Sequence, residues 1–240
     1  MALVEIDPNA VHVRFLRPLP VDEQKHYQRS LSDDEIRRAE RFHFEHDRRL
    51  YLAARALVRR TLSRYFMVEP AAWRFNTDSY GRPYILSPVE ARALRFSSSR
   101  TAGLVACAVT LNRDIGVDVE YSHELPHEVL DSCFTPSEAT FILDGSGNEQ
   151  SDRFFAHWTL KESYVKARGF GLSFPLEKFA IRLNDDQAPR LDIDPVLDDR
   201  APEWRFLSMQ PTRAHRAAIS AHFPDHDAMR ISCCWDELSD

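Results

Sequence analysis

Hydrophobic and polar residues alternate around Val11, Val13 and Phe15, the period of a half-buried strand, and Pro18 ends the run. In LSDDEIRRAERF (31–42), Ser32 is followed three residues on by Glu35, the capping-box pair that opens a helix. Over 47–66, Leu50, Ala54, Leu57, Val58 and Leu62 fall at helical spacing and predict a second, longer helix. SYGRPYIL (79–86) reads as a turn feeding a short extended segment. In mid-chain, GLVACAVTL (103–111) is an unbroken apolar run, Asn112 and Arg113 make a tight connection, and IGVDVEY (115–121) alternates strictly. Together these predict a β-hairpin with both strands in the interior.

FTPSE (134–138) offers a second Thr-x-x-Glu helix start, and SDRFFAHWTLKESYVKARG (151–169) a second long helix stopped by Gly169 and Gly171. FAIRL (179–183), EWRFLSM (203–209) and HRAAISAHF (215–223) read as strands, and the Asp- and Pro-rich 184–202 as a loop. An offset of 103 residues relates Ser32 to Thr135, Glu35 to Glu138 and Tyr51-Leu52 to Phe154-Phe155. The expected fold class is therefore α+β, with two similar α/β halves, 1–112 and 113–240, each a long helix on a mainly antiparallel sheet. Two unrelated capped helices would give the same short matches.

With 240 residues, 43% hydrophobic and 28% charged, the composition is that of an ordinary globular chain. No apolar run approaches the ~20 residues of a membrane span, and MALVEIDPNAVHVRF lacks the pattern of a secretory signal, so a cytoplasmic location without membrane association is expected. Cys107, Cys133, Cys233 and Cys234 form no Cys-x-x-Cys pair and read as reduced thiols. The net charge of −6 argues against nucleic acid as a partner. Nine arginines nevertheless crowd 37–64, with Arg29 upstream and an acidic segment at 184–240. That asymmetry fits a phosphate-bearing small molecule or an acidic partner, and equally a solvated arginine-rich helix face.

Candidate chemistry begins at Asp118 and Glu120. Residues i and i+2 of a strand share a face, so the two carboxylates are neighbours, with Gly116 beside them. Like charges so close raise each other's pKa unless a cation intervenes, and hard oxygen ligands suit magnesium. An exposed edge-strand face would show the same pattern. On the long helix, at about 100° per residue, Glu162 falls within the stripe of Trp158, Phe154, Phe155 and Val165. A carboxylate there is partly desolvated, which asks for a partner or a metal. Lys166, one turn on, offers an i,i+4 pair as the simplest partner.

GVDVE (116–120) followed by WTLKESYVKARGFGL (158–172) resembles the signature of 4'-phosphopantetheinyl transferases. GRPY (81–84) resembles that family's Gly-Lys-Pro turn, and FSSSRTAGLVACAV (96–109) its Phe-Asn-x-Ser-His segment, so the similarity runs from about residue 31 to 183. The length resembles the longer, monomeric, pseudo-twofold type serving peptide and polyketide synthases. The resemblance implies transfer of the 4'-phosphopantetheine group from coenzyme A, as co-substrate, to a serine of an acyl or peptidyl carrier protein, with release of 3',5'-ADP.

The implied roles follow the motifs. Asp118, Glu120 and Glu162 match ligands for Mg2+, with Mn2+ as an alternative, which gives the C-terminal half the metal site and catalytic helix. Glu162 matches the group that deprotonates the carrier serine, and Lys166 the one that steadies or protonates the departing phosphate. Coenzyme A contacts fall on Arg48, Arg49, Arg82, Pro83, Ser99 and Arg100 of the N-terminal half, with Lys161 grouped among them. Glu138 matches a further acidic position. Arg82 stands where lysine is usual, Arg100 where histidine is usual, and Ser97 where asparagine is usual; the arginines keep a phosphate-binding charge. One rival is a metal-dependent phosphohydrolase acting on a nucleotide-like pyrophosphate, with water in place of the serine; another is an inactive coenzyme A-binding module.

Overall fold

Ser32 and Thr135 each cap a helix through a reciprocal bond with the glutamate three residues on. The computed structural model describes residues 3–184, 187–225 and 228–236. It divides into two compact units, Met1–Arg113 with Met229–Asp240, and Asp114–Ala228.

The first unit begins with β1 (Ala10–Leu16), a single turn α1 (Lys25–Gln28), the capped α2 (Asp33–Ala39) and the long α3 (Glu45–Leu62). An antiparallel ribbon follows, β2 (Arg74–Thr77) with β3 (Pro83–Ser87), then β4 (Leu94–Thr101) and β5 (Leu104–Leu111). β5 lies between β1 and β4, antiparallel to both. Its inner face, Val105, Cys107 and Val109, joins Ala53, Leu57 and Leu62 of α3 in one core.

The second unit opens with β6 (Ile115–Tyr121), a turn of helix α4 (Leu130–Cys133), the capped α5 (Pro136–Leu143) and the long α6 (Asn148–Arg168). A ribbon of β7 (Phe179–Asn184) and β8 (Gln187–Ile193) comes next, then β9 (Trp204–Thr212) and β10 (His215–His222), with sheet order β6-β10-β9, all antiparallel. α6 packs Leu160 and Tyr164 against Phe179, Trp204 and Phe206. The last strand, β11 (Arg230–Trp235), returns to the first unit and runs parallel to β1, with Val13 opposite Cys233.

The same order of elements thus occurs twice: a strand, a capped helix, a long helix, a two-stranded ribbon and a hairpin whose second strand is central. Both helix starts, Asp33 against Pro136 and Glu45 against Asn148, keep the 103-residue offset.

Several expectations need correction. Residues 103–121 form no hairpin. β5 already has a neighbour on each side, and Asn112, in the left-handed region at φ 54°, bonds its N–H to the Ala93 carbonyl at 2.7 Å while the chain leaves for the other sheet. The second unit is not 113–240, because β11 finds its hydrogen-bond partner in β1. The 184–202 segment is not one loop: β8 pairs with β7, and 3-10 turns form at Pro195–Leu197 and Ala201–Glu203, while 185–186 lie outside the described residues. No helix among the described residues is long and apolar enough to cross a membrane.

Gly116 explains how closely α6 sits on β6. A Cβ there falls 1.8 Å from the Ser163 carbonyl oxygen and 2.7 Å from the Ala167 nitrogen, both backbone atoms that cannot swing aside. Ser163 Oγ and Ser220 Oγ bond at 2.6 Å across the same seam. Gly116→Ala should therefore lower stability by about 2–3 kcal/mol through overpacking, read as a fall in the urea midpoint.

Candidate active site

Asp118 and Glu120 lie on β6 opposite Ala218 and Arg216 of β10. The strand is buried on both faces until its last two residues, so it is not the exposed edge that a bare carboxylate alternation would equally fit. α6 lies against it and is itself buried around most of its girth, at Phe154, Phe155, His157, Thr159, Leu160, Lys161, Ser163, Tyr164, Val165 and Ala167. An apolar stripe is therefore too narrow a description. Trp158, Glu162 and Lys166, spaced four apart on one side of the helix, are each half-buried.

Asp118 is 2% exposed, and Lys166 Nζ donates to its Oδ1 at 2.6 Å. The lysine expected on Glu162 thus reaches across to the strand. Burial pushes the Glu120 carboxyl up to about 7; the Asp118 charge adds to the rise and Glu162 adds a little, while the Trp158 side-chain hydrogen bond and Lys166 oppose it. Glu162 is also raised, by burial first and then by Asp118, against the pull of Lys166. The three carboxylates are therefore in electrostatic reach of one another. The role of Trp158 was not read from the sequence, although its i,i+4 spacing to Glu162 puts it on the site's side of the helix. Arg216, also missed, bonds Asp152 through Nε at 2.7 Å.

This donor set fits a hard divalent cation: it is all oxygen, partly desolvated, and self-repelling until a cation joins it. The fit is chemical rather than a finished cage, since among the described residues no three His, Cys, Asp or Glu side chains gather tightly enough to hold an ion by themselves. Magnesium commonly takes one or two carboxylates and keeps water and substrate oxygens.

The sign of the pH dependence follows from Glu120 and Glu162. Their folded pKa values stand above those of the unfolded chain, so the stability linked to them is complete at low pH and lost as pH rises, for Glu120 through about 7. Without metal, the melting temperature should fall between about pH 5 and 8. Added Mn2+ should reverse that fall, and more weakly below pH 7, where protons compete for the carboxylates. Scanning calorimetry across pH, with and without Mn2+, tests both.

Lys161 does not belong with the coenzyme A contacts. It is fully buried, and its Nζ donates to Glu138 Oε2 at 2.8 Å and to the Phe179 carbonyl at 2.6 Å. Glu138, the capping-box residue of α5, also accepts the Ile181 N–H at 2.8 Å. In the first unit the capping-box Glu35 is likewise buried and paired with Arg55 and Arg59 of the long helix. A buried capping glutamate tied to a cation on the following helix is thus a packing device shared by both units, and it accounts for Glu138 without a catalytic role.

The remaining expected residues lie in the first unit. Arg48 bonds Glu45 at 2.9 Å, and Arg49 is half-buried, its Nε without a hydrogen-bond partner among the described residues. Arg82 and Pro83 leave a turn in which Gly81 has φ 86° and the Asp78 carboxylate accepts the N–H groups of Tyr80 and Arg82. Ser99 and Arg100 lie on β4, opposite Ala106 and Val105. His43 and His46 are exposed.

Comparison with known proteins is consistent over both units. A family model described as "4'-phosphopantetheinyl transferase superfamily" matches residues 114–220, and one described as "4'-phosphopantetheinyl transferase, N-terminal" matches 19–112. The chain is 29% identical over 222 residues to the 4'-phosphopantetheinyl transferase Sfp of Bacillus subtilis (strain 168), covering 92% of this chain and 96% of that protein. It is 33% identical over 195 residues to the 4'-phosphopantetheinyl transferase HetI of Nostoc sp., covering 80% and 78%. Among solved structures, the holo-[acyl-carrier-protein] synthase of Thermotoga maritima aligns with a TM-score of 0.38 and 17% identity, over 46% of this chain and 62% of that one.

Proposed function

The chain belongs to the 4'-phosphopantetheinyl transferase superfamily and is a 4'-phosphopantetheinyl transferase, and on that premise we propose that it moves the phosphopantetheine arm of coenzyme A onto a serine hydroxyl of an acyl or peptidyl carrier protein. The observation that carries this reading is the meeting of Asp118, Glu120 and Glu162 in one electrostatic patch, with Lys166 bonded to Asp118. Asp118, Glu120 and Glu162 would hold Mg2+, or Mn2+ in its place, which when bound neutralises charge on the diphosphate.

Glu162 accepts the proton of the serine hydroxyl, directly or through water, and its raised pKa brings it nearer the working pH of a base. The serine oxygen bonds to the phosphorus that carries the pantetheine arm, the bond from that phosphorus to the bridging oxygen breaks, and 3',5'-ADP leaves. Lys166, with 31% of its side chain exposed, holds or protonates the departing phosphate. The repeated order of elements supports the longer, monomeric type with a pseudo-twofold relation between its units.

Incubation with coenzyme A, Mg2+ and a panel of carrier domains from fatty-acid, peptide and polyketide synthases tests the reading by intact mass. At least one domain should gain a phosphopantetheine, with matching 3',5'-ADP, and EDTA should stop the gain. Unmodified carriers throughout, with coenzyme A cleaved by water instead, would overturn it.

A further inference from the structure

Within the second unit, Arg216 of β10 stands directly opposite Glu120 of β6. Both face α6. Ser220, four residues along β10 and opposite Gly116, bonds Ser163 of that helix at 2.6 Å, and alternate residues of a strand share a face. Residues paired in this way across an antiparallel ladder bring their Cβ atoms to about 5 Å, within reach of an arginine–glutamate ion pair. The guanidinium turns instead to Asp152, in the second turn of α6. It donates to the Asp152 Oδ1 through Nε at 2.7 Å, and through Nη2 as well.

Burial alone would favour Glu120 as the partner. The Asp152 side chain is 48% exposed, so water already serves it. Glu120 is half-buried beside the Asp118 charge, which increases its need for a counter-charge. What Asp152 offers is position. It precedes Glu162 on α6 by ten residues, about 15 Å along the axis, and so draws the guanidinium toward the helix start and away from the carboxylates. The patch already carries one cation, because Lys166 sits on Asp118. A second, on Glu120, would cancel most of the negative charge on which a divalent ion depends.

We propose that Asp152 is a positioning residue for the metal site: by holding Arg216 it keeps Glu120 open to the divalent cation. The inference rests on the metal-dependent transfer reading above and adds to it a residue outside both motifs, acting through its neighbour. With Asp152 gone, Arg216 falls onto the carboxylate that faces it across the strands, and the cation must displace a guanidinium before it binds.

Mn2+ binding to the full chain and its variants is measured by titration calorimetry, with melting curves to check folding. Asp152→Ala should weaken Mn2+ about tenfold, the scale of residues that act behind a metal ligand. Asp152→Asn, which keeps the shape of the side chain, should weaken it in the same direction. Arg216→Ala should stay within about twofold of wild type, and the double variant Asp152→Ala, Arg216→Ala should return to that level, because the two residues act as one unit. In transfer assays Asp152→Ala should need more Mg2+ for half its maximal rate and keep kcat at saturation. A loss that persists in the double variant would make Asp152 a structural prop. Equal and opposite shifts in the two single variants would reduce it to bulk charge, and unchanged Mn2+ affinity in Asp152→Ala would remove it from the site. Each of these results overturns the proposal. Wild-type protein that binds no Mn2+ would instead defeat the metal reading itself, so the two failures are distinguishable.

Discussion

Glu162→Ala is expected to slow transfer by at least about 10²-fold, and as much as 10⁴-fold, the range for removing a positioned base, while the protein stays folded. The second half of that expectation is the more diagnostic. Glu162 is ionised at a cost, since burial and the nearby Asp118 charge raise its pKa. Its removal relieves repulsion on Asp118 and Glu120, so the melting temperature should hold or rise slightly, as for a residue kept for function at the expense of stability. Mn2+ affinity, followed by electron paramagnetic resonance, should fall as well, because one of three charged ligands is gone. Near-normal transfer by the purified variant would remove Glu162 from the mechanism. Lost activity with a collapsed melting curve would give it a structural role only.

The neighbouring residue should behave in the opposite way. Lys161→Ala is expected to lose about 3–5 kcal/mol of stability, the cost of breaking a buried ion pair from one side. The ammonium is fully buried and bonded to Glu138 and the Phe179 carbonyl, and it lies 4.3 Å from the centre of the Phe179 ring. Without it the Glu138 carboxylate is left buried 4% exposed, with only neutral donors such as the Ile181 and Thr135 N–H groups. Lys161→Met combined with Glu138→Gln should recover much of the loss, because an apolar side chain and a neutral amide remove the unpaired charge. Urea unfolding of the single and double variants measures both numbers. Kinetics at low temperature, where the single variant is still folded, should show an unchanged KM for coenzyme A. A raised KM in a fully folded variant would return Lys161 to the cofactor contacts.

Glu162 and Lys161 stand side by side in one motif, and nothing local separates their tasks. On a helix they differ by about 100° of rotation, and what each side meets is settled by the sheet and ribbon packed around α6. One side meets β6 and its carboxylates; the other meets α5 and the start of β7. A helix buried around most of its girth leaves no apolar stripe from which that choice could be read. Lys166 makes the same point. Its spacing favours Glu162, yet its ammonium is on Asp118, because β6 brings a more deeply buried carboxylate within reach.

The reading of 103–121 failed for a related reason. An apolar run and an alternating run joined by the three residues 112–114 satisfy every local rule for a hairpin. Local rules do not register that β5 is saturated by β1 and β4, nor that the six residues of β11, far along the chain, will complete the same sheet. Strand partners are chosen by long-range hydrogen bonding, to which a window of sequence is blind.

From its sequence alone, this chain already disclosed both capping boxes, both long helices, the repeat at 103 residues and the motifs holding Asp118, Glu120, Glu162 and Lys166, because each of these is written in residues a few positions apart. Tertiary structure alone decided which strands share a sheet, which lysine faces the carboxylates, and that Glu138 and Lys161 neutralise each other inside the core. Those outcomes depend on which side chains lose water together and whose charge must then be balanced, and only the packed chain determines that.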